Sequence, residues 1–132
     1  MLKFSNKEID EMILYTSNED YLETILQLEK KKDTVRSIDI VEVTGFTKPS
    51  VSGAMKNLRT NGYIIMEEDH SIHLTDEGRK IAENVYERHQ FFKEWLIEIG
   101  VNPETAEHDA CKIEHAISEE SFQKLKAAYK KK

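Results

Sequence analysis

The only cysteine of the chain, Cys111, is followed by Glu114 and His115 in the stretch EHDACKIEHAIS at residues 107–118. On an α-helix, positions i, i+3 and i+4 lie on one face, so a thiol, a carboxylate and an imidazole would point the same way. These groups bind first-row transition metal ions, whereas a free cysteine is also often buried simply for packing. The stretch therefore predicts either part of a metal site or a structural helix with polar neighbours.

Two more groups of ligand-type residues stand elsewhere in the sequence. Asp20 and Glu23 are three residues apart in one helical segment, and His89 lies in another. Alone, the acidic pair could merely complement a helix N-terminus, and an isolated histidine is usually an ordinary residue. Carboxylate and imidazole ligands suit Mn(II) and Fe(II), and a thiolate shifts the preference toward Fe(II), Co(II) or Zn(II). Together the three groups favour a transition-metal site.

A basic window interrupts an otherwise acidic chain. The net charge is −6, which by itself argues against general nucleic-acid binding. Residues 43–66 contain no Asp or Glu, although about four or five would be expected at the chain-wide rate, and they include Lys48, Lys56 and Arg59. The charge distribution therefore indicates a local surface for a polyanion.

The basic window coincides with a predicted helix-turn-helix. One short helix is predicted to end at Gly45, and the next is capped by Thr47 and ends at Asn61-Gly62. In this second helix Val51, Met55 and Leu58 form the inward stripe. Hydroxyl and basic side chains lie on the opposite face, as in a helix that contacts DNA. The candidate DNA-binding residues are Thr47, Lys48, Ser50, Ser52, Lys56 and Arg59. The alternative is a solvated face of an unrelated helical domain.

The remaining elements complete a mainly α fold. Residues 63–66 and 71–74 are predicted to be strands around an acidic turn, which behind a helix-turn-helix form a wing. Helices are predicted at 5–16, from 17 to about 31, from 76 to 99, from 103, and from 118 onward. We therefore predict an N-terminal winged helix-turn-helix at residues 1–75, with an extra helix at 5–16, and an all-helical domain at 76–132.

Hydropathy, the N-terminal residues and the cysteine count bear on the cellular location of the protein. No stretch approaches the ~18 apolar residues of a membrane helix, and the N-terminus is too acidic for a secretory signal. A single cysteine cannot form an internal disulfide. These features predict a cytoplasmic protein without a membrane partner.

The chain resembles the diphtheria-toxin-repressor and manganese-transport-regulator family of metal-dependent transcriptional regulators. The matching stretches are SNEDYLETILQL, SVSGAMKNLRTNGYI, LTDEGRKIAENVYERHQFFKEWL and DACKIEHAIS, which cover most of residues 17–118. The short form, without a C-terminal SH3-like domain, is the closer match. The resemblance implies a homodimer joined through the helices after the wing, a palindromic double-stranded DNA operator, and repression of metal-homeostasis genes.

The resemblance also implies the metal ligands. They are Asp20, Glu23, His89, Cys111, Glu114 and His115. The set is a hybrid, because manganese-type members have Glu at the position of Cys111 and iron-type members have Met at the position of Asp20. We expect Mn²⁺ or Fe²⁺ as the cofactor, with Co²⁺, Zn²⁺, Ni²⁺ or Cd²⁺ binding in vitro. Glu107 and His108 are further candidates for a second ion.

Two substitutions separate this chain from the iron-type members. Lys93 stands where they place a further carboxylate ligand, so a full ancillary site of their kind is not expected. Gly53 replaces a glutamine on the DNA-contacting helix. The alternatives are a winged-helix regulator without a metal effector and a metalloenzyme. No nucleophile or general-base motif supports the enzyme, so neither catalysis nor a small-molecule substrate is expected.

Overall fold

The computed structural model describes residues 5–130, except for the side chains of residues 8–16. In chain order the elements are α1 (Asn6–Glu29), α2 (Ser37–Thr44), α3 (Lys48–Thr60), β1 (Ile64–Met66), β2 (Ile72–Leu74), α4 (Asp76–Glu98), α5 (Pro103–Ala116) and α6 (Glu119–Lys130). The predicted mainly α class is confirmed. None of these helices is both long and apolar enough to span a bilayer.

The polypeptide divides into two compact units, the first ending at Glu83 and the second beginning at Asn84. The first contains the helix-turn-helix and the wing, and the second contains most of α4 with α5 and α6. The division falls inside α4, whereas the sequence analysis placed the domain boundary at residues 75–76.

Helix α1 is one continuous helix of 24 residues. The prediction of a separate helix at 5–16 is wrong, because Ser17 and Asn18, the expected caps, lie inside α1. Neither residue is a strong helix breaker, and no glycine or proline interrupts residues 5–29. The side chains of residues 8–16, which make up most of that predicted helix, lie outside the described part of the structure.

The predicted helix-turn-helix is present, and α2 ends and α3 begins at the residues that the sequence indicates. Gly45 follows α2 with φ 76°, the left-handed conformation that favours glycine at a helix C-terminus. Thr47 caps α3, and its hydroxyl accepts a hydrogen bond from Ser50 N at 3.3 Å. These local signals fix where the α2–α3 turn begins and ends.

The core of the first unit is built from three helices and the two strands. The buried apolar residues include Leu22, Ile25, Ile40, Val51, Met55, Leu58, Ile64 and Ile72, which confirms the predicted inward stripe of α3. Because one stripe of α3 is fully buried, its opposite face is fixed toward solvent.

Strands β1 and β2 form the predicted wing. They pair antiparallel, with Ile64 opposite Leu74 and Met66 opposite Ile72. Ile64 and Ile72 are buried while Ile65 is exposed, which is the alternation of a half-buried hairpin. Ile72 N also donates to Val35 O at 2.7 Å. The wing is therefore tied to the segment that precedes α2.

The second unit packs around aromatic residues of α4 and α6. Phe92 and Phe122 are buried with Ala110 of α5. The ring of Phe91 meets the rings of Phe92 and Phe122 edge-on, with centroids 5.2 and 5.5 Å away. A small residue at position 110 lets α5 approach these rings closely. This packing brings one face of α5 against α4.

Arg88 of α4 holds the ends of α5 and α6 together. Its guanidinium donates to Glu114 O at 3.2 Å, to Ile117 O at 2.6 Å and to Glu119 Oε2 at 2.7 Å. It thus satisfies carbonyls at the C-terminal end of α5. The hydrogen bond from Arg88, followed by those from Gln123 and Asn84, lowers the pKa of Glu119 from 4.5 to about 2.

Replacing Glu119 with glutamine should lower stability at pH 7, and the difference should shrink in acid. The carboxylate has a folded pKa below its unfolded value, so its contribution is complete above about pH 5 and is lost as the pH falls from 4.5 toward 2. Urea denaturation of both proteins at pH 7, 5, 4 and 3 measures this. Glu120→Gln, at the exposed neighbour, is the control. If Glu119→Gln lowered the free energy of unfolding by the same amount at every pH, the lowered pKa of Glu119 would be contradicted.

Candidate metal centre and nucleic-acid interface

Helix α5 presents Cys111, Glu114 and His115 within one turn, as predicted. Glu114 is almost completely buried, at 1% exposure, whereas Cys111 is exposed. Glu114 Oε1 lies 3.2 Å from His115 Nε2. A carboxylate at this depth requires positively charged or hydrogen-bonding partners, because its burial is otherwise unfavourable.

Helix α4 supplies His89 to the same face of α5. His89 Nδ1 lies 2.8 Å from Glu114 Oε2 and 3.7 Å from Cys111 Sγ. The donor atoms of these three residues all lie within 4.8 Å of one another. A transition ion bonded at about 2.0–2.3 Å holds its ligand atoms up to roughly 4.6 Å apart, so the spacing suits an ion after small side-chain movements. Nitrogen, oxygen and sulfur donors also match the ligand chemistry of such ions.

The electrostatics of this cluster favour a positive charge among its members. The pKa of His89 is raised to about 11, chiefly by its hydrogen bond with Cys111 and then by the hydrogen bond and charge of Glu114. Burial acts in the opposite direction but is outweighed. A metal ion beside His89 Nδ1 would meet the same two groups, the Glu114 carboxylate and the Cys111 sulfur.

The other side of the His89 ring meets Glu107. Glu107 Oε1 lies 2.9 Å from His89 Nε2, and Glu107 Oε2 lies 3.0 Å from Lys93 Nζ. From the sequence, Glu107 is only a candidate for a second ion, and no pairing with His89 is predicted. The spacing along the helix gives no signal for this contact, which joins residues on different helices.

Asp20 and Glu23 lie on α1, in the first unit. Glu23 is buried and accepts a hydrogen bond from Gln27 Nε2 at 3.0 Å. Asp20 is exposed and lines an open cavity of about 420 Å³ whose wall includes Thr47 and Ser50. Asp20 therefore lies beside the start of α3. The assignment of both residues as ligands stays a prediction.

The six predicted DNA-binding residues are all exposed. They are Thr47, Lys48, Ser50, Ser52, Lys56 and Arg59. Around a β-carbon built on Gly53, no atom outside the local helix lies within 4 Å, so this face of α3 is open. Their exposure fits a surface that contacts phosphates and bases, while the role of each residue stays a prediction.

Two family models match nearly the whole chain. Residues 13–72 match the N-terminal DNA-binding domain of iron-dependent repressors. Residues 75–131 match the metal-binding and dimerisation domain of the same repressors. The two matches follow each other in the order of the two units.

Curated relatives are named as MntR transcriptional regulators or as helix-turn-helix regulators. The transcriptional regulator MntR of Escherichia coli is 38% identical over 104 residues, which cover 79% of this chain and 67% of the relative. MntR of Bacillus subtilis is 33% identical over 83% of this chain and 77% of its own length. An uncharacterised helix-turn-helix regulator of Methanocaldococcus jannaschii is 32% identical, with 83% and 90% covered.

Solved structures share the fold. A manganese-dependent transcriptional repressor in complex with manganese superimposes with a TM-score of 0.75 at 25% identity, over 84% of this chain and 51% of that one. The metal-dependent transcriptional regulator MtsR gives a TM-score of 0.80 at 24% identity, over 86% and 53%. The chain thus spans about half the length of these solved relatives.

The predicted family is confirmed by three agreeing findings. These are the two domain matches in sequence order, relatives above 30% identity across most of their length, and a winged helix-turn-helix followed by a helical unit. The chain belongs to the diphtheria-toxin-repressor and manganese-transport-regulator family of metal-dependent transcriptional regulators.

Proposed function

We propose that this chain is a metal-activated transcriptional repressor that responds to Mn²⁺ or Fe²⁺ and controls metal-homeostasis genes. The cluster of His89, Cys111 and Glu114 is the observation that carries the proposal. It places imidazole, thiol and carboxylate donors together in the part of the chain that matches a metal-binding and dimerisation domain. A cytoplasmic location and a homodimer fit this role.

The proposed ligands are the six residues named from the sequence. His89, Cys111, Glu114 and His115 would hold the ion in the second unit, and family resemblance adds Asp20 and Glu23 from α1. A bound divalent ion supplies positive charge that offsets the repulsion among these acidic side chains. If Asp20 and Glu23 bind the same ion as the ligands of the second unit, the ion would restrain the DNA-binding half and the dimerisation half together. DNA affinity would then depend on metal through this shared restraint.

The proposed DNA surface is the exposed face of α3. Lys48, Lys56 and Arg59 would contact phosphates, and the hydroxyls of Thr47, Ser50 and Ser52 would position the helix or reach base edges. Two copies of α3 in a homodimer would meet two half-sites of a palindrome. We propose no catalytic role, because six protein ligands would leave little open coordination on the ion for a substrate.

An anaerobic Co(II) titration of the reduced apoprotein tests the metal site. Thiolate ligation to Co(II) gives a strong near-ultraviolet absorption band, and the saturation point counts the ions. DNA selected from a random pool is then bound with Mn²⁺ or with chelator. Tight saturable binding and metal-dependent DNA affinity are expected. If chelator did not change the DNA affinity, a winged-helix regulator without a metal effector would be favoured instead.

Replacing Lys56 with alanine should weaken DNA binding similarly on different sequences. Each phosphate contact contributes about 0.9 to the slope of log affinity against log salt, so the slope should fall by roughly one. Fluorescence anisotropy at several salt concentrations measures it. Lys112→Ala removes the same charge from an exposed lysine of α5, a helix outside the predicted DNA-binding residues. Equal slopes for Lys56→Ala and the wild type would remove Lys56 from the interface.

A further inference from the structure

The two ring nitrogens of His89 face different partners. Nδ1 lies toward Glu114 and Cys111, at 2.8 and 3.7 Å, while Nε2 lies 2.9 Å from Glu107 Oε1. His89 itself is buried, at 4% exposure. The ring is thus fixed between the proposed ligands on one side and a single carboxylate on the other.

A carboxylate on the second nitrogen determines which nitrogen can bind metal. When the ring gives up one proton to bind an ion, a carboxylate that accepts from Nε2–H keeps the remaining proton on Nε2. The lone pair is then on Nδ1, which points toward Cys111 and Glu114. Histidines that bind metals usually donate their other N–H to a carboxylate or a carbonyl in this way, which fixes the tautomer and the ring orientation.

Lys93 holds the other oxygen of Glu107. Its ammonium lies 3.0 Å from Glu107 Oε2, while Glu107 Oε1 faces His89. Both carboxylate oxygens are therefore engaged, one by the ring and one by a tethered cation. The Lys93 ammonium, on the same helix as His89, offsets the negative charge of Glu107, so no second metal ion is needed to do so.

We propose that Glu107 is a positioning residue that presents His89 Nδ1 to the metal, and that Lys93 takes the place of a further cation on the Nε2 side. This inference rests on the proposed metal site and assigns Glu107 to the support of a ligand. The far side of the His89 ring is closed to metal in the wild type.

Co(II) affinity of reduced apoproteins tests the role of Glu107. Glu107→Ala should weaken binding ten- to a hundred-fold, as losses of such supporting carboxylates do, and Glu107→Gln should weaken it less because its amide oxygen can still accept the Nε2–H bond. The number of ions per chain should not change. Lys126→Met, which breaks the Lys126–Glu87 ion pair of the same unit, is the control.

Proton and nitrogen NMR of the His89 ring in the Zn(II)-loaded proteins distinguishes a positioning role of Glu107 from a merely structural one. The wild type should show His89 with Nδ1 bound to zinc and with an Nε2–H that is hydrogen-bonded and slow to exchange with water, and Glu107→Ala should lose that hydrogen bond and its protection from exchange. Lys93→Glu should bind one more Co(II) ion per chain than the wild type, because a carboxylate would replace the ammonium beside Glu107.

The outcomes separate this inference from the proposed function. A wild type that binds no Co(II) overturns both. If the wild type binds metal and Glu107→Ala behaves like Lys126→Met, the inference fails and the metal sensor stands. If Glu107→Ala loses one ion per chain, Glu107 is itself a ligand and the positioning role is wrong. An unchanged ion count in Lys93→Glu overturns the role given to Lys93.

Discussion

Replacing Gly78 with alanine is expected to destabilise the first unit by about 3 kcal/mol, the upper end of the usual cost of overpacking. A β-carbon at Gly78 would lie 2.0 Å from Tyr63 O and 2.9 Å from Tyr63 C. No side chain can move aside there, because both clashing atoms belong to the backbone. The segment just before β1 or the start of α4 would have to shift.

The carbonyl of Tyr63 is held in place by its neighbours. Tyr63 O accepts from Thr75 N at 3.1 Å. The Thr75 hydroxyl donates to Gly62 O at 2.7 Å and accepts from Gly78 N at 3.1 Å. Any shift that admits a methyl group at Gly78 breaks bonds at the base of the wing. We therefore expect DNA binding to fall together with stability.

Urea denaturation of Gly78→Ala and Gly53→Ala tests this prediction with a matched pair. At Gly53 no neighbouring atom lies within 4 Å of the added carbon. Alanine should therefore stabilise α3 by up to about 1 kcal/mol, through its higher helix propensity. Opposite signs for the two variants are expected. Similar midpoints would show that Tyr63 does not restrain Gly78.

Replacing Asp20 with alanine is expected to abolish the metal-dependent increase in DNA affinity. Effector coupling of this kind typically amounts to roughly a 5- to 150-fold change, and all of it would be lost if the proposed ligand from the DNA-binding half is missing. Asp20 is well placed for such coupling within its own unit, since it lines the same cavity as Thr47 and Ser50.

The measurement is the ratio of DNA affinities with saturating Mn²⁺ and with chelator. Asp33→Ala removes the same charge from an exposed loop of the same unit and should keep the wild-type ratio. Circular dichroism and urea denaturation check that both variants are folded. A wild-type ratio in Asp20→Ala would exclude Asp20 from the proposed site.

The helix-turn-helix and wing were predictable because their signals are local. The Thr47 cap, the glycine at position 45 and the spacing of Val51, Met55 and Leu58 each act within a few residues. The same holds for Cys111, Glu114 and His115, whose shared face follows from helical spacing alone. Local signals failed at Ser17 and Asn18, because a possible cap does not end a helix unless the preceding turn is broken.

The sequence by itself therefore determined the fold class, the exposed face of α3, the ligand types on α5 and the family. Only the tertiary structure decided which partners those residues meet. Glu107 pairs with His89 across 18 positions, and Arg88 reaches Ile117 across 29. Gly78 is required by the carbonyl of Tyr63, which lies 15 positions earlier, in the segment between α3 and β1. Such contacts depend on how helices and strands pack against one another, and residue spacing within a single element carries no record of that packing.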